Sequence, residues 1–385
     1  MTLLNMALVA EALKEFYLPG LRYQLNAESS LLLAQLERDS EAVEGKTIVM
    51  ALRYGRQGGV GNRADDGELP IPSSRRTTAA KWETKNLTAR IQLTDKTIKA
   101  SRSNAGAFAN LLQQEIEDCE TDMKQDISRQ MVGNGTGLLA TVTVVAGNVL
   151  TVDTSMFLAE GMRIDAFNVN TLRRANMVIN AVNDAGGIHV ITVDLATSVT
   201  VGDTLFISGA KDLELTGLSA VFEAPTIYGL SRATFPFLNA QRRNIAGEIS
   251  EVRIQTAIDD SELRAGGKIN FLYCSYGVRR AYQNLLTLQK RLVDTLDLKG
   301  GWKALSYSGI PLAADKYIRG GRMMCLDLND WRLYHMGDFE WMDQDGAMLS
   351  RISGRAGYEA TLLRYCDIGC QKPRGQVELF GITEH

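Results

Sequence analysis

The chain has 385 residues, of which 45% are hydrophobic and 23% are charged, and its formal net charge is −3. At about 150 residues per domain this length predicts two or three structural units, and the composition is that of a globular protein rather than a disordered chain. Because nucleic-acid binding needs positive charge, and a membrane-spanning helix needs about 18 consecutive apolar residues, the sequence argues against a general nucleic-acid binder and a transmembrane protein.

The first two segments of the chain differ in charge. Residues 1–45 form a thin acidic arm with one short predicted helix over Ser29–Glu37. Residues 46–103 have strand-like stretches at Thr47–Leu52 and Ala80–Leu93, on either side of a charged, glycine-rich stretch. This second segment has twelve Lys and Arg against five Asp and Glu, so it carries +7. The pattern predicts a long, protruding β-hairpin, which either docks on an acidic surface or is simply solvated.

Residues 104–137 contain a long predicted helix. Asn104 can cap its start and Gly133 ends it. Its outer faces carry six carboxylates against Lys124 and Arg129. A single apolar stripe recurs every three or four positions, at Phe108, Leu112, Ile116, Cys119, Met123, Ile127 and Met131. We therefore expect one helix laid on a sheet rather than a coiled coil.

Residues 138–212 change to a pattern of period two. Turn signals separate the alternating stretches about every ten residues, which predicts a small β-barrel or sandwich inserted into the fold. The six predicted strands are Thr141–Val145, Val149–Val152, Met162–Phe167, Asn176–Val182, Ile188–Val193 and Thr204–Ile207. Residues 213–365 are mixed α/β, with a buried strand at Lys268–Cys274 and a helix after it, and residues 366–385 add short C-terminal strands. The predicted fold class is α+β.

The sequence offers no constellation for catalysis or metal binding. There are only three histidines, and no nucleophile elbow, zinc-binding helix or phosphate-binding loop. The stretch Arg56–Gly61 is glycine-rich but lacks the Lys-Ser/Thr of a phosphate loop, so it favours a loop tip. The five cysteines are scattered, and Cys366 and Cys370 lack a second pair of ligands, which favours reduced thiols. We predict no catalytic residue, no cofactor and no metal.

The order of these segments resembles the major capsid proteins of tailed double-stranded DNA phages, which have the Hong Kong 97-type fold. The resemblance rests on the acidic arm, the basic glycine-rich hairpin, the long helix around Asn110–Asp118 and the mixed α/β remainder. The stretches Asn148–Asp153, Gly161–Asp165, Val201–Asp203 and Leu213–Leu218 resemble the β-rich insertion of that family. The resemblance implies an N-terminal arm (1–45), an extended loop (46–103), the spine helix of a peripheral domain (104–137), an inserted β-domain (138–212), an axial domain with remaining peripheral strands (213–365) and C-terminal strands (366–385).

The resemblance also implies a function and partners. Many copies, as hexamers and pentamers, would form an icosahedral shell in the host cytoplasm and enclose the phage genome with weak direct DNA contact. A scaffolding protein, a portal and a decoration protein are the further partners that it implies, and no membrane is involved. One alternative is an encapsulin-type compartment that encloses cargo enzymes. The other is a hydrolase or surface-binding protein that carries a β-domain.

A shell protein needs contacts with other copies rather than an active site. We predict that Arg56, Arg75 and Arg76 pair with acidic helix residues of a neighbouring copy, where opposite potentials set register. The acidic candidates are Glu117, Glu120 and Asp126. Because exposed ion pairs contribute only about 0–1 kcal/mol each, apolar burial must add to them. Trp82, Ile91 and Leu93 are the candidates for that burial. Lys85 is a further interface candidate, although we predict no covalent cross-link through Lys81 or Lys85.

Overall fold

The structure, a computed structural model, describes residues 31–40, 43–44, 47–74, 76–95, 105–288, 295–297, 303–342 and 349–385. Over these ranges strands and helices mix without alternating regularly, so the predicted α+β class is confirmed. The helices are α1 (Leu31–Gln35), α2 (Ala105–Val132), α3 (Leu218–Glu223), α4 (Glu251–Ala265) and α5 (Tyr276–Leu288).

The strands are, in chain order, β1 (Glu37–Asp39), β2 (Val43–Glu44), β3 (Thr47–Arg53), β4 (Thr77–Glu83), β5 (Lys85–Thr94), β6 (Leu138–Ala146), β7 (Val149–Val152), β8 (Arg163–Asn168), β9 (Thr171–Ala185), β10 (Ile188–Val193), β11 (Thr204–Ile207), β12 (Thr226–Ile227), β13 (Leu230–Ser231), β14 (Gln241–Gly247), β15 (Phe271–Cys274), β16 (Thr295–Asp297), β17 (Lys303–Tyr307), β18 (Ile310–Ala314), β19 (Met323–Leu326), β20 (Trp331–His335), β21 (Glu340–Trp341), β22 (Ser350–Arg351), β23 (Gly357–Cys370) and β24 (Val377–Ile382).

The long strand β23 organises the first sheet. Along one edge it pairs antiparallel with β5, from Gly357 opposite Thr94 to Cys366 opposite Lys85. Along the other edge it pairs in turn with β20, β21 and β22, and β1 adds to β20 in parallel. The sheet therefore joins segments that are about 270 residues apart in sequence. Because the paired strands are far apart in sequence, the fold has a high contact order.

Helix α2 packs on this sheet through the apolar stripe predicted from the sequence. Ile116, Met123, Ile127 and Met131 of the stripe are buried in the same core as the inner face of β23. The helix ends at Val132, and the N–H of the following Gly133 donates to the carbonyls of Arg129 and Gln130. The following chain returns so close that a Cβ on Gly217 would lie 2.4 Å from the carbonyl oxygen of Gln130. Only glycine allows this approach between the helix end and the start of α3.

A second sheet of seven strands has the order β14-β24-β19-β15-β18-β17-β16. Its central strands β15 and β19 are buried along their whole length, which matches their uninterrupted apolar sequence. Helix α4 begins at a Ser250 cap, where the hydroxyl accepts from the N–H of Arg253, and ends at Gly266 with φ 60°. Together with α5, helix α4 contributes Ile254, Ala257, Val278 and Tyr282 to the core of this sheet.

Residues 138–207 form a closed barrel, in the strand order β10-β7-β6-β11-β8-β9. The six strands lie where the period-two pattern predicts them, although β9 extends to fifteen residues. The barrel has a core of its own, made of fifteen buried apolar residues. Between β11 and α3, the chain returns from the barrel to the end of α2.

The predicted hairpin of residues 46–103 needs a correction. Strands β3 and β4 pair antiparallel from Thr47 opposite Glu83 to Arg53 opposite Thr77, and β2 joins them in a three-stranded sheet. The alternating stretch Ala80–Leu93 was expected as one strand but is interrupted at Thr84. Its second half is β5, which pairs with β23 in a different sheet. The phase of the alternation changes at the interruption, since the less exposed residues stand at even-numbered positions in β4 and at odd-numbered positions in β5.

Candidate assembly surfaces

A group in the barrel has the residue types of a catalytic triad but not its geometry. The Nδ1 atom of His189 lies 2.9 Å from Ser155 Oγ and 3.0 Å from Asp184 Oδ1. In a triad the serine and the carboxylate bind opposite ring nitrogens, so that a proton can pass through the imidazole. Here both contacts use one nitrogen, and the group ties the β9–β10 hairpin to the loop after β7. The hydrogen bonds from Ser155 and His189 lower the pKa of Asp184.

The cysteines have the character of packed core residues. All five are free, and all except Cys119 are fully buried. Burial raises the pKa of the Cys325 and Cys366 thiols to about 12, which keeps them protonated and unreactive. Within the described ranges, no group of three His, Cys, Asp or Glu residues could hold a metal ion. None of the helices in the same ranges is both long and apolar enough to cross a membrane.

Residues 54–76, which we call the projecting loop, connect β3 to β4. The N–H of Tyr54 donates to the carbonyl of Arg76 at 3.1 Å, and the N–H of Gly58 donates to Ser73 Oγ at 2.7 Å. At the far end, the N–H of Gly67 donates to the carbonyl of Ala64 at 3.0 Å and closes a turn. The projecting loop therefore has two arms that run side by side from its root to its tip.

The projecting loop is almost entirely exposed. Leu69 and Ile71 are each 85% exposed and Val60 is 64% exposed, although all three are large apolar residues. Side chains of this kind gain stability only when other surface covers them. A loop that presents them on a hydrogen-bonded two-armed frame has the properties of a contact surface rather than of a simple linker.

An acidic cleft of about 760 Å³ lies between α2, β5 and the chain that leaves the barrel. Its five carboxylates are Glu115, Asp118, Asp122, Asp126 and Glu214. The strand β5 forms the opposite wall, where Arg90 forms an ion pair with Glu359. Leu213, which is 62% exposed, adds apolar surface at the edge. We call this surface the acidic cleft.

Like charges accumulate in the acidic cleft. Asp118 and Asp122 are four positions apart on α2, so their carboxylates are neighbours on one face and repel each other. Partial burial and Asp118 raise the pKa of Asp122. Burial and the carboxylates of Asp122, Glu115 and Glu120 raise the pKa of Cys119 to about 11. A cation that entered the cleft would relieve this repulsion, so the surface is suited to a basic partner.

Of five predicted interface residues, the structure describes four, and they lie in different settings. Arg56 and Arg76 are exposed on the projecting loop, and Glu117 is exposed on α2. Arg75 lies outside the described residues. Lys85 is half-buried at the start of β5, opposite Cys366, where its charge acts on the buried Asp367.

Two of the predicted acidic partners need a correction. Glu120 is 4% exposed and forms an ion pair with Lys124 at 2.7 Å, so its carboxylate faces the chain itself and not a neighbour. Asp126 is only about one-third exposed, and its oxygens accept from Arg129 at 2.6 Å and from Gln130 at 2.7 Å. Both carboxylates are engaged within the subunit before any second copy arrives.

Two of the three residues predicted for apolar contacts between copies need a correction. Ile91 and Leu93 are buried in the core of their own subunit. Trp82 packs on Tyr228, with ring centroids 4.3 Å apart, and edge-on to Tyr334. A Cβ on Gly369 would lie 2.9 Å from the Trp82 ring, so the strand β23 supplies a glycine where the indole lies. Among the described residues of 46–103, the most exposed large apolar side chains are Leu69 and Ile71, in the projecting loop between the two alternating stretches.

The sequence pattern also missed the partner that organises the end of α2. Arg129 binds both oxygens of Glu214, at 2.5 and 2.9 Å, in addition to Asp126. These residues are 85 positions apart, with the whole barrel between them in sequence. The burial of Glu214 raises its pKa despite the arginine, which reflects how far the pair is removed from water. This bidentate pair between the Arg129 guanidinium and the Glu214 carboxylate connects the segment that follows the barrel to helix α2.

Comparison with known proteins gives matches only at the level of structure. No protein-family model matches the chain, and no curated protein sequence matches it. The chain is similar to the capsid asymmetric unit of cyanophage A-1(L), with a TM-score of 0.60 at 13% identity, over 93% of this chain and 95% of that chain. It also aligns with the SrpI encapsulin complex of Synechococcus elongatus PCC 7942, with a TM-score of 0.47 at 10% identity, over 92% and 89% of the two chains. The capsid of Myoviridae phage XM1 aligns with a TM-score of 0.46 at 8% identity, over 92% of each chain.

The similarity to the cyanophage capsid extends over nearly the whole of both chains. The Hong Kong 97-type capsid fold expected from the order of segments is therefore confirmed as the fold of this chain.

Proposed function

We propose that this chain is the major capsid protein of a tailed phage and that many copies of it form the icosahedral shell around the double-stranded DNA genome. The observation that carries the proposal is the shared fold with a phage capsid subunit over 93% of the chain. The exposed, two-armed projecting loop agrees with it, because a shell subunit needs surface that is complete only when another copy covers it. The role is structural rather than catalytic.

The domain organisation follows the family. In this proposal, residues 1–45 are the N-terminal arm, 46–103 the extended loop and 104–137 the spine helix of the peripheral domain. Residues 138–212 are the inserted β-domain, 213–365 form the axial domain with the remaining peripheral strands, and 366–385 are the C-terminal strands. In this scheme the seven-stranded sheet with α4 and α5 is the axial domain, to which β24 of the C-terminal segment contributes a strand, and the sheet of β23 with α2 is the peripheral domain.

The acidic cleft is proposed as one of the surfaces between copies. Its carboxylates Glu115, Asp118 and Asp122, which Arg129 does not bind, suit exposed arginines on the arms of a neighbour's projecting loop, such as Arg63 and Arg76. Glu117, on the exposed side of the same helix, extends this acidic surface. Such exposed pairs set approach and register rather than strength, since salt screens them beyond about 8–10 Å.

We also propose partner proteins, which the fold by itself does not identify. We propose assembly in the host cytoplasm with a scaffolding protein, a portal and a decoration protein, as in the family. Direct contact with the enclosed DNA is weak, because the chain carries a net charge of −3.

The test is negative-stain electron microscopy of the protein, expressed alone and together with its neighbouring reading frames. The proposal predicts uniform hollow shells of about tens of nanometres, built from many copies. Particles filled with DNA support a phage capsid, whereas particles filled with a cargo enzyme point to an encapsulin-type compartment. Small oligomers under every condition, including co-expression and crowding, contradict the shell proposal and favour a surface-binding protein.

A further inference from the structure

A second cleft, of about 450 Å³, lies at the root of the projecting loop, and we call it the root cleft. One wall is the end of β3 and the start of the projecting loop, and the opposite wall is the turn between β23 and β24. Arg53 and Arg56 contribute from the first wall, and Lys372 and Arg374 contribute from the second. Tyr54 stacks on Phe237 at its side, with centroids 4.8 Å apart and an interplanar angle of 5°.

The lining of the root cleft is positively charged, although Asp330 acts electrostatically on Lys372 from outside the lining. No described residue that lines it carries a carboxylate. Within the part of the chain that the structure describes, Arg53, Arg56 and Arg374 form no ion pair, and the Lys372 ammonium donates only to the carbonyl of Gly266, at 3.2 Å. Four cations around one cleft repel one another, so an anionic partner that entered it would be bound favourably.

The tip of the projecting loop has the opposite character. Asp65, Asp66 and Glu68 lie within four positions of one another at the closing turn, and all three are exposed. No cationic side chain among the described residues pairs with their carboxylates; Arg63 bonds the backbone carbonyl of Glu68 instead, at 2.9 Å. The apolar side chains of Leu69 and Ile71 follow immediately and are 85% exposed. The tip thus combines an acidic cluster with uncovered apolar surface.

The tip of one chain does not reach the root cleft of the same chain. The two arms lie side by side from the Tyr54–Arg76 bond to the Ala64–Gly67 turn. Ten residues of extended chain, at about 3.3 Å each, separate root and tip by up to about 30 Å. The partner of each surface must therefore come from another molecule.

We propose that the tip of the projecting loop of one copy binds in the root cleft of a second copy. The proposal rests on the proposed function, since it names a contact between neighbouring shell subunits. The carboxylates of Asp65, Asp66 and Glu68 face Arg53, Arg56, Lys372 and Arg374, and the planar guanidinium groups are suited to bidentate carboxylate contacts. Leu69 and Ile71 cover the exposed faces of Tyr54 and Phe237, so apolar burial accompanies the ion pairs.

This contact is heterologous, because tip and cleft are different surfaces of one chain. Each copy then offers one tip and one cleft, and the contact repeats from copy to copy until a ring closes. The proposal changes the role predicted for Arg56, which meets the carboxylates of a loop tip rather than those of a neighbouring helix. The acidic cleft on α2 stays available for the arms of the loop.

A second copy fits the root cleft better than the phosphates of DNA do. The three exposed carboxylates of the tip are opposite in charge to the four cations of the cleft, and every copy supplies one tip for each cleft. The apolar surface of Leu69 and Ile71 also has no counterpart on a duplex. Binding of DNA in the cleft is nevertheless a definite outcome that the experiment below distinguishes.

The experiment exchanges the charges of the two surfaces in the full chain. The tip variant combines Asp65→Arg, Asp66→Arg and Glu68→Arg, and the cleft variant combines Arg53→Glu, Arg56→Glu and Arg374→Glu. Each variant alone should slow association at least about tenfold, because like charges then face each other, and the variant that carries both sets should recover it. Arg351→Glu with Arg355→Glu, at exposed positions away from both surfaces, is the control that should leave association unchanged. Light scattering measures the rate, and circular dichroism checks that each variant is folded.

A cross-linking experiment detects the contact between the loop tip and the root cleft even when no closed shell forms. A chain with Asp66→Cys is mixed with a chain with Arg374→Cys under mild oxidation, and the wild-type chain reports background from Cys119. The proposal predicts a disulfide-linked pair in the mixture and not in either variant alone. If this pair forms and the charge exchange recovers association but microscopy finds no shells, the proposed function fails and the contact stands.

Three results overturn the contact. The first is that folded tip and cleft variants associate as fast as the wild type. The second is that the combined variant stays as slow as the worse single one. The third is that the cleft variant loses binding to a 30-base-pair duplex, measured by fluorescence anisotropy, while assembling normally, which assigns the cleft to phosphates instead.

Discussion

The barrel of residues 138–207, inserted between α2 and α3, and the projecting loop of residues 54–76, between β3 and β4, differ in where they place their apolar residues. The barrel closes on itself and buries fifteen apolar side chains in a core of its own. The projecting loop has two arms, no core, and Leu69 and Ile71 at 85% exposure. The buried barrel residues therefore stabilise the subunit itself, whereas we propose that the exposed loop residues stabilise contacts between subunits.

Removing the projecting loop should have the largest effect on assembly and should leave the stability of the subunit almost unchanged. When residues 56–74 are replaced by a short Gly-Ser turn between β3 and β4, we expect a folded subunit that forms no shells, because the tip and one wall of the root cleft are lost. Electron microscopy measures assembly, and thermal unfolding measures stability. A variant that still forms shells would show that the projecting loop is not needed for contacts between subunits.

A matched pair of truncations tests where apolar burial acts. Ile164 is fully buried in the barrel core, and Ile164→Ala should destabilise the unassembled subunit by about 2–5 kcal/mol, from lost transfer free energy and a residual cavity. Leu69→Ala removes an exposed side chain and should change the same quantity by less than about 0.5 kcal/mol. Denaturant unfolding followed by circular dichroism measures both. Equal losses would contradict the division of roles.

A carboxyl group at the barrel exit predicts a pH dependence. Asp367 is fully buried on β23, and its Oδ1 accepts from the N–H groups of Thr216, at 2.7 Å, and Ile368, at 2.9 Å. Burial raises the pKa of Asp367 to about 6, although Lys85 opposes this, so the folded state favours the neutral form. Its stabilising effect is present below the unfolded pKa of about 4 and is lost as pH rises through about 6.

The variant Asp367→Asn keeps an oxygen for both N–H groups and cannot ionise. Relative to wild type, its free energy of unfolding should therefore rise by about 2–3 kcal/mol between pH 4 and pH 7. Asp184→Asn in the barrel is the control of opposite sign. Because hydrogen bonds lower the pKa of Asp184, wild type should gain on that variant as pH rises. Parallel pH profiles for the two variants would disprove this assignment.

The smallest expected effect lies at a turn of the barrel. Val169 has φ 52° and is 79% exposed, so a β-branched side chain is held in the left-handed region without compensating burial. Val169→Gly should stabilise the subunit by about 0.5–1 kcal/mol, and assembly should stay unchanged. Thermal unfolding measures the gain. A loss of stability would show that the turn is not strained.

The barrel was the easiest part of the fold to predict from sequence. Strands that are buried on one face alternate with period two, and the turns between them contain glycine, so each of the six strands is visible locally. The long helix α2 is visible for the same kind of reason, through its apolar stripe. The interruption at Thr84 was missed although the alternation changes phase there, from even-numbered inward positions in β4 to odd-numbered ones in β5, because the polar residues Glu83–Asn86 leave the change unmarked.

The contact residues were harder to predict because charge in a sequence does not reveal partners. Glu120 and Lys124 are neighbours on a helix, so their pairing could have been foreseen from spacing alone. The pairing of Arg129 with Glu214 could not, since the barrel separates them in sequence. The root cleft combines Arg53 and Arg56 with Lys372 and Arg374, and only the tertiary fold brings these ends of the chain together.

Hydrogen–deuterium exchange, compared between the unassembled subunit and the assembled shell, tests whether another copy covers the projecting loop. We expect amides of residues 54–76 to exchange quickly in the subunit and slowly in the shell, because another copy covers the loop only after assembly. Amides of the barrel strands should be protected equally in both forms. A projecting loop that is already protected in the subunit, or that still exchanges quickly in the shell, would contradict the account.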